Sequence, residues 1–204
     1  MHQVSIHGTA VTPGKIICVG RNYVAHIEEL GNEVPQDMVV FNKPNSAISD
    51  ILRSQIATER LHYEGELVFA VTRGQLSAVG FGLDLTKRGL QSALKAKGLP
   101  WERAKAFDGA ALFSDFVALP DDLNALSLRL WVDQELRQEG GVALMLYKPL
   151  TVLQEVREFM SLEDGDLIMT GTPAGVGEVA TGQRFTGEVL CNEEVLVSAT
   201  WVAQ

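Results

Sequence analysis

Cysteine is scarce: Cys18 and Cys191 are the only two in a chain of 204 residues. A disulfide framework is excluded as the source of stability, and both are read as buried free thiols of a reducing compartment. No uninterrupted apolar stretch approaches the roughly 18 to 20 residues that a bilayer-crossing helix requires. The opening Met1-His2-Gln3 carries no charged segment followed by an apolar run, so no secretory signal is expected and the cytoplasm is the expected location. Positive charge is short as well. Lys and Arg number 17 against 26 Asp and Glu, a net charge of −9, which leaves no electrostatic footprint for nucleic acid or an anionic membrane surface. Cys and His never fall at zinc-ligand spacing, no Gly-Lys-Ser/Thr phosphate loop occurs, and there is no linker, charge block or repeat.

What is present is ordinary globular composition, 46% hydrophobic and 21% charged, at a length that fits one domain over 1–204. Strand signals dominate: Lys15 to Val19, Met38 to Phe41, Leu67 to Val71, Leu128 to Val132, Leu167 to Thr170 and Val195 to Val202 are short, rich in Val, Ile and Leu, and bounded by turn residues. Helical patterns are fewer. Thr86 to Lys97 reads as a helix stopped by Gly98 and Pro100, Leu150 to Met160 has helical apolar spacing, and a short candidate lies between Asn22 and Leu30, ended by Gly31. Strands and helices do not alternate, so a β-rich α+β fold is expected rather than a doubly wound sheet.

Glu64 and Glu66 sit two residues apart at the head of an apolar strand, where period-two geometry points both to one face. At a separation of about 7 Å such carboxylates repel unless a cation lies between them, and Mg²⁺ or Mn²⁺ suits an all-oxygen site. A solvent-facing pair at a strand edge is the plainer alternative. Asp84, in an otherwise apolar run, is a third candidate ligand or, equally, a helix N-cap near Thr86. An ion among three carboxylates leaves a net charge near −1, so an anionic substrate needs cations close by. Lys105 is a candidate because its apolar setting makes a lysine costly without an anionic partner; Arg21, Lys43 and Arg88 are others, each readable as a solvated surface charge.

His26 and Glu29, at i and i+3, share one face of a short helix, an arrangement that orients an imidazole for water activation or makes only a weak surface ion pair. Gly20 and Gly31 either hinge that segment as a lid or merely punctuate it. The segment Thr170-Gly171-Thr172-Pro173-Ala174-Gly175-Val176-Gly177 offers backbone N–H groups and the Thr172 hydroxyl to a ligand carboxylate, with a plain turn as the rival reading.

Together these residues resemble the fumarylacetoacetate hydrolase family, and within it the short single-domain acylpyruvases, from about Lys15 to Val202. The carrying motifs are Gly20-Arg21-Asn22-Tyr23 with His26 and Glu29, Asn42-Lys43-Pro44, Glu64-Gly65-Glu66, Asp84-Leu85-Thr86 with Arg88 and Gln91, Lys97 to Trp101, Ala104 to Asp108, and Thr170 to Pro173 with Gly175 to Gly177. The resemblance implies a mixed β-sandwich roll, a homodimer, and Glu64, Glu66 and Asp84 as ligands of Mg²⁺ or Mn²⁺. It implies a small anionic keto acid as substrate, bound with help from Arg21, Lys43, Arg88 and Thr172. It also implies a catalytic set of His26, Glu29, Lys105 and Gln91, in which the first two activate a water, Lys105 stabilises developing negative charge and Gln91 helps place the water.

The reaction so implied is hydrolysis of the C–C bond of an acylpyruvate, such as fumarylpyruvate or acetylpyruvate, by way of a pyruvate enolate. Decarboxylation or keto–enol tautomerisation of oxaloacetate is the alternative, and a binding homologue that turns nothing over is a third reading. Two departures from the family pattern bear on the site: the stretch from Val71 to Gly82 is short, and Gly65 stands where a bulky apolar residue is usual.

Overall fold

A computed structural model describes residues 1–31 and 33–204. The strands β1 (Val4–Ile6) and β2 (Thr9–Val11) form a ribbon, followed by β3 (Lys15–Gly20), helix α1 (Val24–Glu29) and β4 (Val39–Pro44). Next come β5 (Gln55–Ile56), β6 (Glu59–Tyr63), β7 (Gly65–Thr72), β8 (Gln75–Asp84) and β9 (Thr86–Lys87). Helices α2 (Arg88–Ala96) and α3 (Glu102–Lys105) precede β10 (Ala111–Phe113), β11 (Val117–Ala118), β12 (Leu126–Val132) and β13 (Glu135–Gly141). The chain ends with α4 (Pro149–Phe159), β14 (Leu167–Met169), β15 (Gly177–Glu178), β16 (Arg184–Cys191) and β17 (Glu194–Val202).

The largest sheet runs β10-β8-β7-β14-β3-β4, with β11 also paired to β8. Only β14 and β3 run parallel in it. A second sheet, β13-β12-β16-β17, packs against it, and the expected β-rich α+β class is what the chain adopts. Leu67, Phe69, Phe81 and Leu83 of the large sheet meet Leu128, Leu130, Phe185 and Val189 of the second in one buried cluster. Alternate residues Ile16, Cys18, Val68 and Ala70 point the opposite way, toward Val4, Ile6 and Phe116. Burial on both faces is why β3, β7 and β14 read as continuous apolar runs instead of alternating ones. Helix α4 sets Val152, Leu153 and Val156 against Ile17, Val19 and Ile168.

Strand β7 turns into β8 through Arg73 and Gly74, both with positive φ (51° and 70°), the conformation of a two-residue hairpin turn whose twist suits the flanking strands. That turn is the physical content of the short stretch from Val71 to Gly82. The register carries Glu66 opposite Gly82 and Gly65 opposite Leu83, and the Asp84 N–H donates to the Glu64 carbonyl at 2.8 Å. The three acids therefore meet at one end of one face.

Several expectations are corrected. The helix expected from Thr86 begins at Arg88, because Thr86 and Lys87 pair with His62 and Leu61 of β6 instead. Asp84 is no helix cap; it ends β8, and Lys87 occupies the N-cap position. Glu64 lies in the joint between β6 and β7, not on the strand itself. Cys18 is buried as expected, but Cys191 is only half-buried at the end of β16. Among the described residues, no helix is long and apolar enough to cross a membrane.

Candidate active site

Glu64, Glu66 and Asp84 are all buried, and one carboxylate oxygen of each lies within 4.8 Å of the others. The surface-edge reading of the Glu pair is thereby overturned, since these side chains face inward. Their surroundings differ. Glu66, 2% exposed, accepts a hydrogen bond from the Gly171 N–H at 2.7 Å. Burial, then repulsion from Asp84 and Glu64, pushes its carboxyl well above the ordinary value of 4.5. Burial acts on Glu64 in the same sense, but the charges of Lys105 and Arg88 outweigh it and hold that group well below the ordinary range.

Three cations reach these acids from three elements. Lys105, buried on α3, places Nζ 2.8 Å from Glu64 Oε2, 2.7 Å from Asp84 Oδ2 and 2.6 Å from Thr86 Oγ1. Burial disfavours its charge, yet Asp84 and Glu64 prevail and raise its pKa above the usual lysine value. Lys43, fully buried on β4, sets Nζ 2.7 Å from Asp84 Oδ1 and donates to the Lys105 carbonyl. Arg88 pairs with Glu64 and donates to Gln91 Oε1 at 2.8 Å, fixing the first turns of α2 over the acids. The sequence named Lys105, Lys43 and Arg88 as candidates; their partners here are the acids themselves.

His26 comes to the same pocket from α1, with Glu29 beside it on the same helix. His26 is buried, and its Nδ1 stands 3.1 Å from Glu29 Oε2. The helix is held at its start by Asn22, whose side-chain amide donates to the carbonyls of Tyr147 (2.9 Å) and Thr170 (2.8 Å) and accepts from the Tyr147 N–H at 2.7 Å. Arg21, Gln91 and Thr172 line the pocket as well, so all eleven candidate residues except Lys43 and Glu29 border it, and those two contact residues that do.

The glycine-rich segment 170–177 behaves differently from the expectation. The Gly171 N–H goes to Glu66, and the Gly175 N–H goes to Glu29 Oε1 at 2.9 Å, so these backbone donors serve the protein's own carboxylates. Gly171 has φ +94°, and a Cβ there would lie 2.8 Å from Asn22 Cβ, so only glycine permits this approach. The Thr172 hydroxyl donates to the Gly65 carbonyl at 2.9 Å and accepts from Gln138 Nε2 at 2.8 Å.

Gln138 is a residue the sequence reading missed. It is 1% exposed on β13, takes the Gly65 N–H at 2.8 Å on Oε1 and donates from Nε2 to the Pro173 carbonyl at 2.9 Å. No local signal marks it, because Glu135–Gly141 carries no apolar alternation against which a polar inward residue would stand out. It also explains the glycine at 65, where a Cβ would stand 2.9 Å from Phe81 Cζ and 3.1 Å from Gln138 Oε1.

The arrangement suits a hard divalent cation. All three converging donors are carboxylate oxygens, the donor type that hard divalent cations take.

The comparisons agree with the geometry. The family model described as fumarylacetoacetate (FAA) hydrolase C-terminal matches residues 15–199. The chain is 36% identical over 190 residues to the oxaloacetate tautomerase YcgM of Escherichia coli (strain K12), covering 84% of this chain and 86% of the relative. It is 40% identical over 193 residues to a mitochondrial oxaloacetate tautomerase of Oryza sativa subsp. japonica, covering 84% of each. Its fold superimposes with a TM-score of 0.88 on a fumarylpyruvate hydrolase of Pseudomonas aeruginosa solved in complex with Mn²⁺ and pyruvate, at 29% identity over 100% of this chain and 96% of that one. The chain belongs to the fumarylacetoacetate hydrolase family.

Proposed function

We propose that the protein is a divalent-metal-dependent enzyme that catalyses keto–enol tautomerisation of a small 2-oxo acid of the oxaloacetate kind. The observation that carries this reading is the convergence of the buried triad Glu64, Glu66 and Asp84 with the His26–Glu29 pair on one pocket. Relatives at 36% and 40% identity that carry the name oxaloacetate tautomerase support the choice of reaction.

Glu64, Glu66 and Asp84 would hold Mg²⁺ or Mn²⁺, which when bound supplies stabilisation of negative charge on the 2-oxo oxygen. Glu29 accepts a hydrogen bond from His26 Nδ1–H, which leaves Nε2 as the basic nitrogen. His26 Nε2 takes a proton from C3 of the substrate and returns it at the oxygen, so the C–H bond broken is balanced by the O–H bond formed. Lys105, Lys43, Arg88 and Arg21 supply the positive field in which the anionic substrate and its enolate are held, with Gln91 and Thr172 positioning it.

A second reading, hydrolysis of an acylpyruvate, is favoured by the fold similarity to the fumarylpyruvate hydrolase, and it uses His26 to deprotonate water instead of carbon. Purified protein with Mg²⁺ is offered oxaloacetate and acetylpyruvate. Accelerated keto–enol equilibration of oxaloacetate without loss of total oxo acid supports tautomerisation, pyruvate with acetate supports hydrolysis, and pyruvate with CO₂ supports decarboxylation. Unchanged rates in both His26→Ala and Glu64→Ala would remove the site assignment altogether.

A further inference from the structure

The catalytic pocket shares a wall with a second hollow. Phe41 and Trp101 border the pocket that holds the acids, and the same two side chains border a surface groove of about 390 Å³. Val39, Val40, Leu99 and Pro100 supply the rest of that groove with apolar side chains. Leu99 is 47% exposed there.

The shared wall is built in order from the acids outward. Lys105 Nζ, bonded to Glu64 and Asp84, stands 5.2 Å from the centre of the Phe41 ring, and that ring centre stands 5.8 Å from the centre of the Trp101 ring. The two rings meet at 55°, a tilted contact that aromatic pairs favour. A Cβ at Gly20 would already touch both, at 3.4 Å from Trp101 and 3.8 Å from Phe41, so the rings close down on the backbone of β3. Trp101 is also the N-cap of α3, and its carbonyl accepts the Lys105 N–H at 3.0 Å. That bond belongs to the backbone and survives a change of side chain.

We infer that Trp101 sets the upper length of the substrate: its indole closes the pocket against a 2-oxo acid with a long aliphatic tail, and without the indole that tail enters the groove beyond. The inference rests on the reading above that the oxo-acid end of the substrate lies at Glu64, Glu66 and Asp84. Against the closed wall, a longer tail meets packed ring atoms that yield only at the cost of strain. In the groove, the same tail meets Val39, Val40, Leu99 and Pro100, where each methylene buried strengthens binding about fourfold.

The test is calorimetric binding of 2-oxobutanoate and 2-oxooctanoate to the Mg²⁺-loaded protein. The two ligands share the metal-chelating end and differ only in the length of the alkyl tail. The wild type binds the longer acid more weakly by about tenfold or more. Trp101→Ala reverses the order, and the longer acid becomes the tighter by about tenfold or more as methylenes enter the groove. Trp101→Phe, which keeps a ring in the wall, restores most of the wild-type preference. Adding Leu99→Trp to Trp101→Ala fills the groove and cancels the gain of the longer acid alone, which a general loosening of the pocket would not do. A wild type that binds the longer acid as tightly as the shorter overturns the inference whether or not the variants fold. So does an unchanged length preference in Trp101→Ala, or a gain that survives Leu99→Trp. A wild type that binds neither acid in Mg²⁺ overturns the placement of the oxo-acid end at the triad, and the length limit with it.

Discussion

Gln138 hands a hydrogen bond to Thr172 Oγ1 at 2.8 Å from the second sheet, across the interior of the molecule. The same side chain takes the Gly65 N–H between the two glutamates. One amide therefore fixes both the backbone that aims Glu64 and Glu66 and the loop that supplies Gly171 to Glu66.

Replacing Gln138 by Leu leaves the buried Gly65 N–H and Pro173 carbonyl without their partner. An orphaned buried group costs about 1 to 3 kcal/mol, and for a chain of this size that corresponds to a melting temperature lower by several degrees, roughly 2 to 4 °C per kcal/mol. Because the glutamates lose their fixed approach, Mg²⁺ affinity falls as well. Thermal melts with and without Mg²⁺ check this: a variant that melts lower but gains as much from Mg²⁺ as the wild type shows that Gln138 supports the fold alone.

Glu66→Gln is expected to move stability and metal binding in opposite directions. With its folded pKa raised above 4.5, Glu66 contributes stability that is present below that value and is lost as pH rises through the folded pKa, since the folded state then gives up a proton it had held more tightly than the unfolded chain. Glu64 has the opposite sign: its contribution is present above 4.5 and is lost as pH falls. In EDTA, therefore, the wild type loses stability above pH 4.5 through Glu66, and Glu66→Gln flattens that decline. Mg²⁺ flattens it in the wild type too, while the variant binds the ion more weakly by about tenfold or more. Melting temperature against pH, with EDTA and with Mg²⁺, gives all four curves.

Much of this was readable from the residues. The strands β3, β7 and β14 were legible because burial on both faces leaves them almost wholly apolar. Strands β13 and β16 were not, because Glu135–Gly141 and Arg184–Cys191 mix charge and glycine with their few apolar residues, and pairing with β12 is what holds them extended. The acids were legible as a pair at an apolar strand plus an isolated third. That Lys43 and Arg88 would pair with them was not, since both were visible only as charges of unknown direction. Thr86 and Lys87 carried a helical pattern that pairing with β6 overrode. Gln138 lies 73 residues from Gly65, and no local pattern reports a contact so distant.

Lys105→Met tests whether the ammonium between Glu64 and Asp84 serves the fold, the chemistry or both. It removes three contacts of 2.8, 2.7 and 2.6 Å from a buried site and leaves the acids with less positive charge, so the metal-free protein loses stability by a few kcal/mol. Mg²⁺ restores most of that loss by supplying charge to the same oxygens, yet kcat stays reduced by about a hundredfold because one stabilising cation is missing when the enolate forms. Full recovery of kcat on adding Mg²⁺ would show that the lysine acts only as a counter-ion.

Gly175 controls the base from outside the pocket. Its φ is +99°, and a Cβ there would stand 1.9 Å from the Arg137 carbonyl oxygen, a clash with backbone that only movement of the loop can relieve. Gly175→Ala therefore withdraws the N–H that holds Glu29 Oε1 at 2.9 Å, and Glu29 in turn loses its fixed position beside His26 Nδ1. A base with an unfixed imidazole proton-transfers less efficiently, so kcat falls by about ten- to a hundredfold. A Cβ at Gly175 would also approach Gln138 Cγ to 3.3 Å, so Mg²⁺ affinity is measured beside kcat, and a fall in kcat alone assigns the effect to Glu29. The decisive comparison is with Glu29→Gln: if both substitutions act through the orientation of His26, the double variant is hardly slower than either single one, because residues that act as a unit are not additive. Multiplying losses in the double variant would mean that the loop and the glutamate act separately.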